Sequence, residues 1–401
     1  MRGNAFGFLL LPVLVIFVNT ASAQSSDLAP SFKRARIDLA QITKQAKDGN
    51  TEAQFRLGMA YKSGQGVEKS DFEAMRWLRM AADRGDLAAE NNLGYLYESG
   101  PEGMKDLAEA AKWYRRAALY GLPEAQFNMG RLYCRGDGVE RNEGEAARWI
   151  RKASEAGLPI AIAGLGMMYE MGQGVPRDER EAFRLTRKAA KKGDPGAENN
   201  LAVFSKEGRG VGVNWAESKK WYEKAAKAGV AEAQYGLGVL YANGWGVARD
   251  PHEAVRLFRQ AAEQGLNPAE AALGEAYEMG EGVERDYQES AKWYRRAAQD
   301  GDVSSAMRLA AMAYYGKGIS QDVPEAIKWW TWAAGRGNAF AQFNLAKIFA
   351  AGIDVPRDAV KARALFVLAS KSFDVSKELN ELSLQVSTAG TIETQAENRQ
   401  Q

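Results

Sequence analysis

Glycine returns every 36 residues through most of this chain. Gly64, Gly100, Gly136, Gly172, Gly208, Gly244, Gly280, Gly316 and Gly352 keep that interval without a slip. A second series at the same interval runs Gly49, Gly85, Gly121, Gly157, Gly193, Gly229, Gly265, Gly301 and Gly337. A fixed period of this length marks a stacked repeat array, in which each unit packs on its neighbours. A chain of 401 residues would otherwise suggest two or three domains of ~100–200 residues each. The period replaces that expectation with one elongated array.

Each period reads as two helices. From Glu52 to Ser63, apolar and small residues recur at Ala53, Leu57, Met59, Ala60 and Tyr61, which suits an amphipathic helix of three turns. Gly64-Gln65-Gly66-Val67 ends it, because glycine takes the left-handed backbone at no steric cost. The second helix is expected from about Asp71 to Asp83, closed by Gly85. Its start is marked by the series Ser70, Asp106, Asn142, Asp178, Asn214, Asp250, Asp286, Asp322 and Asp358. All of these side chains accept hydrogen bonds from free backbone N–H groups at a helix start. Glu73 and its equivalents follow three residues later, up to Glu325, in the spacing of a capping box. Lys361 breaks that series. Small residues (Ala53, Gly58 and their equivalents) alternate with Tyr61 and Trp77 and theirs. One helical pair cannot bury such faces, but stacked pairs can. The fold expected is all-α, a right-handed α/α solenoid of about nine 36-residue helix-turn-helix repeats.

These residues resemble the Sel1-like repeat, a relative of the tetratricopeptide repeat. The resemblance is carried by Ala-x-x-x-Leu-Gly-x-x-Tyr, Gly-x-Gly-Val and Trp-x-x-x-Ala-Ala-x-x-Gly. Gly-Gln-Gly-Val at 64–67 and 172–175 matches closely, as does Lys-Trp-Tyr-Arg-Arg-Ala-Ala at 112–118 and 292–298. It covers roughly 36–373 and implies a scaffold for protein contacts. The roles it implies include restraining an envelope sensor kinase, supporting envelope assembly, or acting on a host. Ala202 and Ser205 depart from the usual Gly and Tyr, and Gly100-Pro101-Glu102-Gly103 replaces one loop.

The ends read differently. Arg2, the apolar run Phe8–Val18 and the small residues Ala21-Ser22-Ala23 form a secretory leader, with cleavage expected between Ala23 and Gln24. The run has 11 residues, whereas a bilayer span needs about 20. No stable membrane insertion is expected after cleavage, and the mature chain is expected in the periplasm or outside the cell. The remaining organisation reads as a linker at 24–35, the solenoid at 36–373, a capping helix at 374–386 and a disordered tail at 387–401.

Composition narrows the chemistry. Lys+Arg is 53 and Asp+Glu 51, so the net charge is +2. That balance speaks against a dedicated binder of nucleic acid or anionic membrane. One cysteine excludes an internal disulfide. One histidine and one cysteine cannot supply the ligands of a structural zinc site. Cys134 and His252 stand 118 residues apart, more than three repeats, so they cannot form a nucleophile–base pair. No hydrolase, metalloprotease or phosphate-loop motif occurs. No catalytic residue, metal or cofactor is assigned, and the chain reads as a non-enzyme. An alternative is a cell-wall-associated enzyme or a protein binding β-lactams or glycan, supported only by compartment and analogy.

The partner expected is another protein or an extended peptide, held in a concave groove of first helices. Core positions are committed to folding, so recognition falls to the variable ones. One such series is Arg56, Asn92, Asn128, Gly164, Asn200, Gly236, Ala272, Arg308 and Asn344. Its asparagines can both donate to and accept from a peptide backbone, or equally bridge neighbouring helices inside the array. Beside it run Met59, Tyr95, Arg131 and their equivalents, a mixed series suited to specificity or to ordinary surface. Trp245 at a glycine-loop tip and Trp332, where other repeats carry Arg or Lys, are further candidates.

Overall fold

The computed structural model describes residues 39–352 and 355–382. The expected leader 1–23, linker 24–35 and tail 387–401 lie outside the described residues, as do 383–386 of the expected capping helix. Every regular element among the described residues is a helix.

The chain forms two compact units, Met1–Ala156 and Gly157–Gln401. In the first, α1 (Leu39–Lys47) precedes three pairs: α2 (Thr51–Ser63) with α3 (Asp71–Ala82), α4 (Leu87–Ser99) with α5 (Leu107–Leu119), and α6 (Pro123–Arg135) with α7 (Glu143–Glu155). The second holds six pairs. They are α8 (Pro159–Met171) with α9 (Glu179–Lys191), α10 (Pro195–Glu207) with α11 (Trp215–Lys227), and α12 (Ala231–Asn243) with α13 (Pro251–Glu263). Then come α14 (Asn267–Met279) with α15 (Tyr287–Gln299), α16 (Val303–Tyr315) with α17 (Val323–Ala334), and α18 (Ala339–Ala351) with α19 (Ala359–Ala369). Residues 376–382 form α20. Within each unit every helix from α1 to α19 packs on the next. This is the all-α repeat solenoid that the period predicts.

Leu57 and its equivalents fill the core of each pair, and Leu93, Leu201, Leu273 and Leu309 are wholly inaccessible. Each such leucine contributes about 2 kcal/mol by leaving water. Trp77, Trp113, Trp149, Trp221 and Trp329 are buried, as their place in the period requires.

The turn inside each pair is held at both ends. Ser70 Oγ accepts from Glu73 N, and every equivalent cap from Asp106 to Asp358 accepts from the third residue of its helix. The cap's own N–H is also used. Asp106 N donates to Tyr97 O at 2.8 Å, and Asp250 N to Tyr241 O at 2.9 Å. This corrects the capping-box reading. The N–H that a glutamate would accept from already has a partner, so the glutamates turn forward. Glu109 meets Lys112 at 3.0 Å, and Glu145 meets Arg148 at 2.6 Å.

The Gly-x-Gly loops at Gly138, Gly210, Gly246, Gly282 and Gly318 join one repeat to the one before. A Cβ at Gly138, whose φ is +67°, would lie 2.0 Å from the Leu107 carbonyl oxygen at the start of α5. Glycine is needed there for the backbone angle and for the close approach. The loop at 100–103 lacks this geometry: Gly100 has φ −65° and Met104 N closes a turn on Pro101 O at 2.9 Å.

A second tie between repeats is polar and buried. Gln54, Glu90, Gln126, Glu198, Gln234, Glu270 and Gln342 share one position of the period, and all are buried. Gln54 Nε2 donates to Ala46 O at 3.0 Å, and Gln126 Nε2 to Ala118 O at 3.2 Å. These carbonyls end the preceding second helix and lack partners within it. Glu90 and Glu270 instead meet Arg116 at 2.8 Å and Arg296 at 2.9 Å.

Candidate functional site

The predicted recognition residues of the first unit come together. Arg56, Asn92 and Asn128 sit at one position of α2, α4 and α6, with Tyr95 and Arg131 one turn further on. Side chains link these helices. Lys62 Nζ donates to Asn92 Oδ1 at 2.9 Å and stands 4.3 Å from the centre of the Tyr95 ring. Asn92 Nδ2 donates to Ala88 O at 2.9 Å. Asn128 Nδ2 donates to Asn91 Oδ1, also at 2.9 Å. Arg56, Lys62, Asn92, Tyr95 and Asn128 are half-buried. Burial pushes the Lys62 amine down to about 8, against the opposing charge of Asp71.

Arg131 is different. It is 8% exposed, and Nη2 binds Glu98 Oε2 at 2.6 Å. The Tyr114 hydroxyl donates to the same oxygen at 3.0 Å. Burial first, then Glu98, raises the Tyr114 phenol well above its ordinary range, so it remains a donor. This arrangement recurs in the second unit. Tyr294 donates to Glu278 Oε2 at 3.0 Å, and Arg308 Nη1 donates to it at 2.9 Å. Arg308 is exposed and also approaches Glu275 at 3.6 Å, while Lys317 reaches Glu278 Oε1 at 3.5 Å. The Glu and Tyr of these knots were not among the predicted site residues. A usable signal was present: glutamate stands 16 residues before tyrosine in the two segments that share Lys-Trp-Tyr-Arg-Arg-Ala-Ala.

The other candidates of the second unit are dispersed. Asn200 on α10 and Asn344 on α18 are half-buried. Trp245, 42% exposed, packs on Trp215 with ring centres 5.2 Å apart. It thus fastens its loop to the first residue of α11. Trp332 is half-buried on α17, packed against Trp329 at 6.2 Å and under the Arg336 guanidinium at 3.7 Å. The two tryptophans lie on different elements and form no common patch.

These arrangements hold and orient polar groups but offer no nucleophile beside a base. The Cys134 thiol is pushed up by burial, away from the reactive thiolate. Among the described residues no three His, Cys, Asp or Glu side chains converge as metal ligands, and no helix is long and apolar enough to cross a membrane.

The Sel1 repeat family model matches nine consecutive segments: 51–86, 87–121, 123–158, 159–194, 195–230, 231–266, 267–302, 303–338 and 339–372. The chain is a Sel1 repeat protein. Among solved structures it is similar to a Sel1 repeat protein from Oxalobacter formigenes, with 32% identity and a TM-score of 0.60 over 77% of this chain and 90% of that one. It is also similar to a protective antigen of uropathogenic Escherichia coli strains, with 30% identity and a TM-score of 0.57 over 87% of this chain and 91% of that one. No curated protein matches it. Sel1 repeat solenoids are as a rule interaction scaffolds without catalysis of their own.

Proposed function

We propose that this Sel1 repeat protein is an exported, non-catalytic adaptor that holds an extended segment of another protein against the first helices of its N-terminal unit. The observation that carries this reading is the linked group Lys62, Asn92 and Tyr95 on α2 and α4, with Asn128 of α6 tied to α4 through Asn91. Hydrogen bonds hold these half-buried side chains in place before any partner arrives, so little side-chain entropy is lost on binding. Asparagine amides suit a peptide backbone, and the Tyr95 ring suits an apolar or cationic side chain. Export to the periplasm or beyond rests on the leader pattern of residues 1–23. The antigenic character of the Escherichia coli relative is in keeping with that compartment. Regulation of an envelope sensor or of envelope assembly is a role the family resemblance implies for such an adaptor.

Photo-cross-linking in the native host tests the reading. A cross-linking residue at position 95 or 128 is expected to trap one dominant protein, and Asn92→Ala with Tyr95→Ala to weaken its capture. Adducts arising only from second-helix positions, such as 112 or 148, would sink it.

A further inference from the structure

The last helical pair breaks the pattern of the other eight on its outward side. Position 364 is Ala, whereas all eight preceding repeats carry Lys or Arg there, from Arg76 to Lys328 at 36-residue intervals. Its usual partner, the glutamate three residues earlier, is replaced by Lys361. Position 367, Arg in six of the other repeats, is Val. Position 368, held by Arg or Lys in five of them, is Leu.

The result is a helix apolar on two opposite faces. Ala362, Phe366 and Ala369 of α19 are buried in the core. On the other side Val360 is 83%, Val367 51% and Leu368 46% exposed. With 100° between successive residues, 360, 364, 367 and 368 fall within an arc of about 100°. Lys361 and Arg363 border this stripe on either side and Lys371 follows it, all three exposed. A helix apolar all round ordinarily has both faces covered. Residues 357–374 carry Arg357 and these three cations against two acids, Asp358 and Asp374, and both acids already accept from helix-start N–H groups, of Lys361 and Ser376. The near-neutral charge of the whole chain therefore conceals a local excess.

We propose that this outward face of α19 is a peripheral docking surface for an anionic lipid bilayer. Val360, Val367 and Leu368 would enter the headgroup boundary, while Arg363 and Lys371 meet lipid phosphates; the Lys361 ammonium stands 4.0 Å from the Phe349 ring and adds its charge from the border. The charge pattern decides the occupant. A second copy would bring the same three cations to the contact and be repelled. The stripe is also convex, along one helix, and so lacks the concavity that favours a peptide or small ligand. A fluid interface needs no concavity, and apolar burial with flanking cations is how surface helices bind it.

Vesicle flotation of the full mature chain tests this. The probes are phosphatidylcholine vesicles with and without phosphatidylglycerol, at low salt. Binding is expected only to the anionic vesicles. Val367→Asp with Leu368→Asp is expected to abolish it, and Arg363→Gln with Lys371→Gln to weaken it by about thirtyfold. These side chains are exposed, so circular dichroism should be unchanged in both variants. Absence of binding to anionic vesicles would overturn the proposal, as would equal binding by the aspartate variant. A dimer in light scattering that the aspartate variant dissociates would also overturn it, assigning the face to a second copy.

Discussion

Arg131 Nη2 lies 2.6 Å from Glu98 Oε2, joining α6 to α4 with both side chains nearly buried. A buried pair of this kind contributes little net stability, but breaking it strands a charge at a cost of about 3–5 kcal/mol. Arg131→Ala is expected to lose roughly that much in chemical denaturation, whereas Glu98→Gln with Arg131→Met recovers most of it. If Arg131→Ala unfolds like the parent chain, the guanidinium is free to serve a partner.

The Gly-x-Gly loop offers a sharper test of how repeats join. Gly138→Ala forces a side chain to within 2.0 Å of the Leu107 carbonyl oxygen at positive φ. Strain and overpacking together predict a loss of about 2–4 kcal/mol. Gly103, with φ +96°, has nothing within 4 Å of a Cβ. Gly103→Ala should therefore cost only the backbone strain, about 1–2 kcal/mol. Equal denaturation midpoints for the two variants would contradict the close approach.

Lys62 should titrate early. Its amine is held down at about 8 by burial. Between about pH 8 and 10.5 the folded state binds fewer protons than the unfolded chain. Stability from this group is therefore fully present above 10.5 and is lost as pH falls through about 8. Pulsed acetylation read by mass spectrometry should give a Lys62 midpoint near 8. A midpoint above 10 would mean the amine is fully hydrated.

Glu90 and Glu270 stand where other repeats use glutamine. Burial raises both carboxyls above their ordinary 4.5, with Arg116 and Arg296 opposing. A raised acid contributes its stability below 4.5 and loses it as pH rises through the folded value. Glu90→Gln with Glu270→Gln is expected to remove that loss. Near pH 7 the variant should match or exceed the parent within about 1 kcal/mol. Melting curves between pH 4 and 7 would show the variant's flatter profile. A steep drop in stability would instead mean that the Arg partners dominate.

Much of the fold was legible because its signals are local. A helix cap such as Asp106 acts on a backbone group three residues away, and the glycine at 136 sets its own φ. The caps act alike in every repeat and the glycines in all but the one at Gly100, so the period exposes them. The Gln54–Gln342 series holds Gln or Glu in seven of the nine repeats, yet a glutamine in a helix reads as surface. Its burial depends on a carbonyl eight residues earlier, on another helix. Asn128 was ambiguous for the same reason. Its amide could serve a peptide or a neighbour, and in the structure it can do both: Nδ2 donates to Asn91 across the repeat, which leaves Oδ1 to accept from a peptide. Trp245 read as an exposed interface ring, and it remains exposed, but the structure also packs it on Trp215, thirty residues before it.

The sequence by itself determined the repeat length, the two helices per repeat, their caps and the apolar stripes that make stacking obligatory. Each depends on residues within a turn or two of one another, where chain connectivity already holds the partners close. The tertiary structure alone decided which polar side chains are consumed by the array and which stay available. Lys62, Glu98 and Arg131 acquire their partners only when successive first helices are brought side by side.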